Sequence, residues 1–237
     1  MPSPFREKRP IRHISPIRVT DIAPLDAVGW LSEQPPSFQD WAKRHACWRT
    51  YAAGQFVYHA GDPTDGIYGL AEGGLEISFP LLAEEQVTLY RAEIGFWIGD
   101  NAELAETPRV VTVRAVCPSR LLHLPSAAIH TLLAEHPHHW REFYRLNSRN
   151  TSTAVVLLSE ALALTFRARV CRRLLMLADD SDDVSITQED LGRVIGAART
   201  TLRRCLTDLE QRGAVELRYR RVVIVNRAVL SSFKDEQ

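Results

Sequence analysis

Apolar and polar positions change rhythm several times along this chain. Between Leu25 and Cys47, Trp30-Leu31 and the group Phe38, Trp41, Ala42 flank Pro35-Pro36, which predicts two short helices packed on the domain that follows. From Ala53 the rhythm becomes that of short strands broken by Gly and Asp, over 56–58, 67–70, 75–79, 87–90, 110–116 and 121–124, with turns at 60–63 and 72–74. Evenly spaced short strands predict an antiparallel roll or sandwich. Over 136–164 Trp140, Phe143, Asn147, Asn150, Ala154, Leu157, Ala161 and Leu164 alternate spacings of three and four, the seam of a two-helix coiled coil. Asn147 and Asn150 on that seam would fix its register at some cost in stability. A further helix over 166–177 follows after a bend.

The densest pattern lies over 186–225. Thr187 is placed to cap a short helix, with Asp190 in the first turn, near the positive helix end. Leu191, Val194 and Ile195 form its apolar face, and Gly196 suits the left-handed position that ends it. In the next helix Leu202, Cys205, Leu206 and Leu209 recur at i, i+3, i+4 and i+7. That stripe turns Thr200, Arg204 and Thr207 outward, with Arg203 at the edge of the outer face. Arg199 sits in the first turn, and Ala198 leaves the helix without a strong N-cap. Two short helices around a Gly-containing turn, with an outward row of Arg and Thr, make a helix-turn-helix. Strands at 214–217 and 222–225, joined by Arg218-Tyr219-Arg220-Arg221, add a wing with three guanidiniums expected at its tip. Residues 184–227 hold nine Arg against five acids, a local charge of +4 in a chain of formal net charge +0. The candidate double-stranded DNA contacts are Thr187, Gln188, Arg199, Thr200, Arg203, Arg204, Arg218, Arg220 and Arg221.

Those residues also carry a resemblance. Residues 186–210, with Gly192, Gly196, Arg199, Thr201, Arg204 and Leu209, resemble without a gap the C-terminal domain of the cyclic-AMP receptor/fumarate-nitrate regulator (Crp/Fnr) family of bacterial transcription factors. The likeness runs from about Ala53 to the end. It implies that the residues at Arg199, Thr200 and Arg204 read base edges in the major groove. The family member most similar here has a Glu at the Thr200 position that accepts from a cytosine amino group; Thr200 keeps a hydroxyl but no charge. The series Gly54, Gly61-Asp62, Gly73-Gly74 and Gly95-Phe96-Trp97-Ile98-Gly99-Asp100 resembles the family's cyclic-nucleotide-binding roll. The resemblance implies a phosphate cradle at Gly99, helped by Arg109, with Asp100 toward the ribose.

Several positions depart from that pattern. Asp100 stands where the family has Glu, and Val110 where it has Ser or Thr. The ungapped match over 136–170 puts Ala154 and Val155 where the cyclic-AMP receptor has Thr-Ser, although Thr151, Ser152 and Thr153 lie within one turn. The candidate effector residues are therefore Gly99, Asp100, Arg109, Val110, Thr151, Ala154 and Val155. A cyclic nucleotide ranks as effector behind another ligand or an empty pocket, since three of its polar contacts have no partner. The resemblance implies an α+β chain: a basic arm and N-terminal helices (1–47), an antiparallel β-roll or jelly roll (48–135), a dimerisation helix (136–164) and a winged helix-turn-helix (165–237). It implies a homodimer on DNA, with RNA polymerase as a further partner.

Composition changes this picture little. At 237 residues, 45% hydrophobic and 24% charged, the chain reads as an ordinary soluble protein. The absence of a membrane-length apolar run or signal pattern predicts a cytoplasmic location and no membrane partner. Cys47, Cys117, Cys171 and Cys205 are scattered without C-x-x-C spacing, so neither disulfides nor an iron–sulfur cluster is expected. His136, His138 and His139 lack partners at ligand spacing and read as solvated rather than metal-binding. The acidic run 179–183 reads as a solvated loop, and the Pro- and Arg-rich stretch 1–20 as a flexible arm. No Walker loop, G-x-S-x-G or H-E-x-x-H motif is present, so an enzyme is not expected. The rival readings are a constitutive DNA binder with a degenerate sensor pocket and a ligand-regulated enzyme module.

Overall fold

The computed structural model describes residues 21–80, 86–195 and 199–236. The arm over 1–20, Gly196 and Ala198 lie outside the described residues. A 3-10 turn at Leu31–Glu33 and helix α1 (Pro36–His45) carry the N-terminal aromatic groups. Pro36 opens α1 at a position where a missing N–H costs nothing. Trp30 is buried among Phe38, Trp97 and Phe143, with ring centroids 5.1–5.6 Å away, and its indole N–H donates to the Glu142 carbonyl at 2.9 Å.

Eight strands make two four-stranded antiparallel sheets. One has the order β1 (Cys47–Tyr51), β8 (Ser119–Pro125), β3 (Gly66–Glu72), β6 (Trp97–Ile98). The other runs β2 (Phe56–Tyr58), β7 (Thr112–Ala115), β4 (Leu75–Pro80), β5 (Gln86–Ala92). Leu70, Leu75, Ile77, Val113, Ala115 and Leu121 fill the space between them. β1 lies upstream of Ala53, where the strand rhythm was expected to begin. Its Cys-Trp-Arg-Thr-Tyr sequence is only half buried and shows no clean alternation. Helix α2 (Asp100–Ala105) follows β6, and α3 (Ser126–Glu135), absent from the sequence reading, buries Ile129, Leu132 and Leu133 on the roll.

After a 3-10 turn at Pro137–His139, helix α4 spans Trp140–Ala163. Its first turns bury Phe143 and Leu146 against the Trp30 cluster, and His139 lies edge-on to Phe38. The coiled-coil seam expected through Phe143, Asn147 and Asn150 is therefore corrected: that face is turned to the chain's own roll. The outward face instead carries Tyr144, Val155, Leu158 and Leu162, 56–79% exposed.

Thr165 caps α5 (Phe166–Leu177) by accepting from the Ala168 N–H at 3.2 Å. The last unit holds α6 (Gln188–Ile195), α7 (Arg199–Gln211), α8 (Arg227–Phe233) and a three-stranded sheet ordered β10 (Val215–Arg218), β11 (Arg221–Ile224), β9 (Asp183–Val184). Leu191, Leu202, Leu206 and Leu209 are fully buried in its core, as their spacing requires. The acidic run is not simply solvated. Asp179 accepts from the Ser181 and Asp183 N–H groups, Asp182 pairs with Arg227, and Asp183 with Arg221. Among the described residues no helix is long and apolar enough to cross a membrane.

A buried histidine ties three strands of the first sheet together. His123 on β8 stacks on Tyr68 of β3, its Nε2 lies 3.0 Å from the Asp65 carbonyl, and Arg49 of β1 donates to its Nδ1 at 3.2 Å. Burial pushes the imidazole down to about 4, against the pull of Asp65. The unfolded chain then takes up a proton below about pH 6.5 that the folded chain refuses, so stability is full above that pH and falls toward pH 4. Urea unfolding at pH 7 and pH 5 should show a loss of about 2 kcal/mol from this residue. His123→Gln should flatten that pH dependence; an equal slope in the variant would refute the assignment.

Candidate effector cavity and nucleic-acid interface

Helix α6 begins where the capping chemistry places it. The Asp190 N–H donates to the Thr187 hydroxyl at 3.0 Å, and that hydroxyl donates back to the Asp190 carboxylate at 2.7 Å. Since Leu202, Leu206 and Leu209 point inward, Arg199, Thr200, Arg203, Arg204 and Thr207 are exposed on the outer face of α7. Thr187, Gln188, Arg199, Arg203, Arg218, Arg220 and Arg221 line one groove between the helices and the β10–β11 hairpin. Thr200 and Arg204 lie beside it on α7.

The wing needs one correction. Arg218 and Arg221 are paired positions on β10 and β11, so the tip is Tyr219-Arg220 alone. Arg218 forks onto Glu216 at 2.9 and 2.7 Å, and Arg221 holds Asp183 at 2.8 Å. Among the described residues Arg220 has no ion-pair partner, and Tyr219 is 89% exposed. The i, i+2 spacing of Glu216 and Arg218 puts both on one face of a strand, a signal present in the sequence.

The second site is a cavity of about 260 Å³ between the roll and α4. Of the expected effector residues, Gly99, Asp100, Arg109, Val110, Thr151 and Ala154 line it. Val155 does not: it lies on the outward face of α4, 56% exposed. Asn147, Asn150, Thr153 and Leu157 line it instead, with Tyr58, Ile77, Phe96 and Val111 from the roll. Gly99 has φ +103°, and an added Cβ would lie 2.4 Å from an Arg109 nitrogen, so only glycine fits there.

Arg109 does not project into the cavity as a free fork. Its Nη1 donates to the Gly99 carbonyl at 3.1 Å; its Nη2 donates to Asp65 at 2.9 Å and to the Gly66 carbonyl at 2.7 Å. The guanidinium lies 4.3 Å over the Tyr58 ring, and only Nε is buried without an acceptor. Asp100, 3% exposed, is held as tightly: Asn150 donates to one oxygen at 2.7 Å and Asn147 to the other at 3.1 Å. Burial pushes the Asp100 carboxyl up, and these hydrogen bonds oppose the shift. Asn150 further donates to the Trp97 carbonyl at 3.0 Å. Sequence reasoning assigned both asparagines to a coiled coil; their i, i+3 spacing fits either role, and only the roll's position decides.

Two family models match the chain: a cyclic nucleotide-binding domain over residues 48–136 and a Crp-like helix-turn-helix domain over 168–233. The chain belongs to the Crp/Fnr family of transcription regulators. This Crp/Fnr chain is 28% identical over 173 residues to the HTH-type transcriptional regulator Cmr of Mycobacterium tuberculosis, covering 72% of this chain and 69% of that one. Its fold is shared with a CRP/FNR-family transcriptional regulator of Thermus thermophilus (TM-score 0.67, 18% identity, 80% of this chain and 98% of that one). It is shared equally with the c-di-GMP-responsive global regulator CLP of Xanthomonas campestris (TM-score 0.69, 19% identity, 81% and 100%). Among the described residues of the Crp/Fnr chain, no group of three or more His, Cys, Asp or Glu is arranged to hold a metal ion, and all four cysteines are free thiols.

The Asp100 clasp can be tested directly. Replacing both Asn147 and Asn150 by Ala leaves a buried carboxylate without its side-chain donors, and the expected destabilisation is about 3 kcal/mol. Adding Asp100→Asn should restore part of it, because the amide carries no charge to bury. Urea unfolding of the double and triple variants measures both; additive losses would show that the three residues do not act together.

Proposed function

We propose that the chain is a homodimeric, effector-regulated transcription regulator that binds a two-fold symmetric DNA site, acts in the cytoplasm and contacts RNA polymerase. The observation that carries the DNA reading is the groove in which Arg199, Arg203 and the wing arginines converge beside an exposed α7. Residues 165–237 are the DNA-binding part, 48–135 the sensor, and 136–164 the helix that joins two copies. Arg199 and Arg204 fork onto guanine O6 and N7, each worth about 1–3 kcal/mol of discrimination. Thr200 specifies its base pair weakly or reads a thymine methyl. Arg220 touches backbone phosphate, and Arg218 and Arg221 hold the hairpin in shape as well as supplying charge.

Dimerisation is supported by the outward face of α4. Tyr144, Thr151, Val155, Leu158 and Leu162 recur at coiled-coil spacings, and the four apolar ones are too exposed for a helix meant to face water. Coupling between sensor and DNA-binding part is supported at β5. Tyr90 lines the effector cavity, and the adjacent Arg91 reaches Asp190 of α6 at 3.7 Å. A ligand that moves Tyr90 thus acts on the strand that holds the first helix of the helix-turn-helix. The Xanthomonas relative responds to c-di-GMP; the effector of this chain departs from the cyclic-AMP pattern at Asp100, Val110 and Ala154. A constitutive DNA binder is the second reading, favoured by the internal partners that Arg109 and Asp100 already have.

Selection from random DNA should return half-sites about one helical turn apart, with guanines opposite Arg199 and Arg204. A fixed base pair opposite Thr200 would contradict its role. Arg220→Ala should weaken specific and random DNA alike and make the log–log salt slope shallower by about 0.9 for each subunit. An unchanged slope would remove the wing from the interface.

The outward face of α4 has its own test. Leu158→Glu with Leu162→Glu should yield a folded monomer in sedimentation, with little affinity left for the two-fold site. A dimer that persists in this variant would place the interface elsewhere.

A further inference from the structure

We propose that the roll cavity takes a neutral, ring-bearing small molecule and excludes phosphate esters. The inference rests on the reading of this cavity as the effector site and names the chemical class that fits it. Three features of the cavity point the same way.

The first is Arg109. Three of its N–H groups are spent on Asp65 and the Gly66 and Gly99 carbonyls, and the ring of Tyr58 covers its face. To fork onto a phosphate it would have to give up three hydrogen bonds at once, among them the one to the Gly66 carbonyl at 2.7 Å. Nε alone lacks an acceptor, and it is buried.

The second is the start of α2. The Asp100 carboxylate, 3% exposed, is buried at this helix end. Asn147 and Asn150 hold that carboxylate from the other side. The seat of an incoming phosphate is thus filled by the protein's own acid, and a second anion beside it would be repelled at low dielectric.

The third is the rest of the wall. Tyr58, Ile77, Phe96, Ile98, Val111 and Leu157 present mainly carbon to the cavity, and at the rim Val110 and Ala154 supply no hydroxyl. A phosphate taken from water into such a wall loses much of its hydration, and of the hydroxyls on the α4 side Thr153 already donates to the Arg149 carbonyl. A fused aromatic ring loses nothing polar and gains apolar burial and ring contacts with Tyr58 and Phe96. The volume of about 260 Å³ holds a molecule the size of two fused rings.

The test compares two probes that share one ring system. Calorimetry on the full chain should show saturable binding of 1-naphthol at least about tenfold tighter than that of 1-naphthyl phosphate or cyclic AMP, a gap of about 1.4 kcal/mol. Ala154→Trp, at an exposed position on the cavity rim, should abolish naphthol binding, with a cooperative urea unfolding transition showing that the variant is folded. Equal or tighter binding of the phosphate ester, micromolar binding of cyclic AMP, or naphthol binding that survives Ala154→Trp would each overturn the inference. Absence of naphthol binding in a folded, DNA-binding protein would overturn it too. The underlying effector reading is judged separately, by DNA affinity at saturating naphthol. Binding that is lost in Ala154→Trp but leaves DNA affinity unmoved keeps the ligand class and removes the regulatory role.

Discussion

Helix α4 has to satisfy different neighbours on each of its faces, and the anchoring of its first turns decides the rest. Phe143 and Leu146 are sunk into the Trp30 cluster, and the Trp30 indole reaches the Glu142 carbonyl. One turn on, Asn147 and Asn150 grip Asp100. Once these contacts set the rotation of the helix, its 3.6-residue period leaves no freedom. Thr153, Ala154 and Leu157 must line the cavity, and Tyr144, Val155, Leu158 and Leu162 must face outward. The effector cavity and the proposed dimer face are thus two sides of one rigid element. A change on one is felt on the other without any long-range pathway.

The cavity gives up charge recognition in exchange for internal order. A buried carboxylate and a buried guanidinium are each expensive unless they are paired and hydrogen-bonded. Here Asp100 draws its donors from α4, and Arg109 draws its acceptors from the turn before β3, the start of β3 and the end of β6. This joins the two sheets, α2 and α4 through polar contacts that an apolar ligand would leave in place. The same polar groups in a nucleotide-binding roll would be held ready for the ligand.

In the DNA-binding part charge is distributed by the same economy. The acidic run before β9 is folded back so that Asp182 and Asp183 meet Arg227 and Arg221 at the base of the wing. Glu216 meets Arg218 along the strand. These exposed pairs contribute little stability, but they keep a basic hairpin from splaying and leave Arg220 projecting from the tip. The helices follow more directly from composition, because the stripe Leu202, Leu206, Leu209 can be buried in only one way.

The sequence alone determined much of this protein. Local period and capping chemistry settle α6 and α7, since Thr187 with Asp190 and the leucine stripe carry their instructions within a few residues. Most of the roll strands were legible for the same reason, as was the family. Elements whose stability comes from elsewhere were not. β1 and β6 are strands only because β8 and β3 offer them partners, and α3 and α8 are short helices held by the cores they cover. The candidate cavity was legible as a set of positions, of which Val155 alone does not line it. A spacing of three and four marks a helix face but does not say what the face meets. The roles of Asn147 and Asn150, the closed state of Arg109 and the true outward face of α4 were decided only when the roll came to lie against one side of that helix. Hydrogen bonds between residues 47 or 50 positions apart depend on geometry that no local pattern encodes.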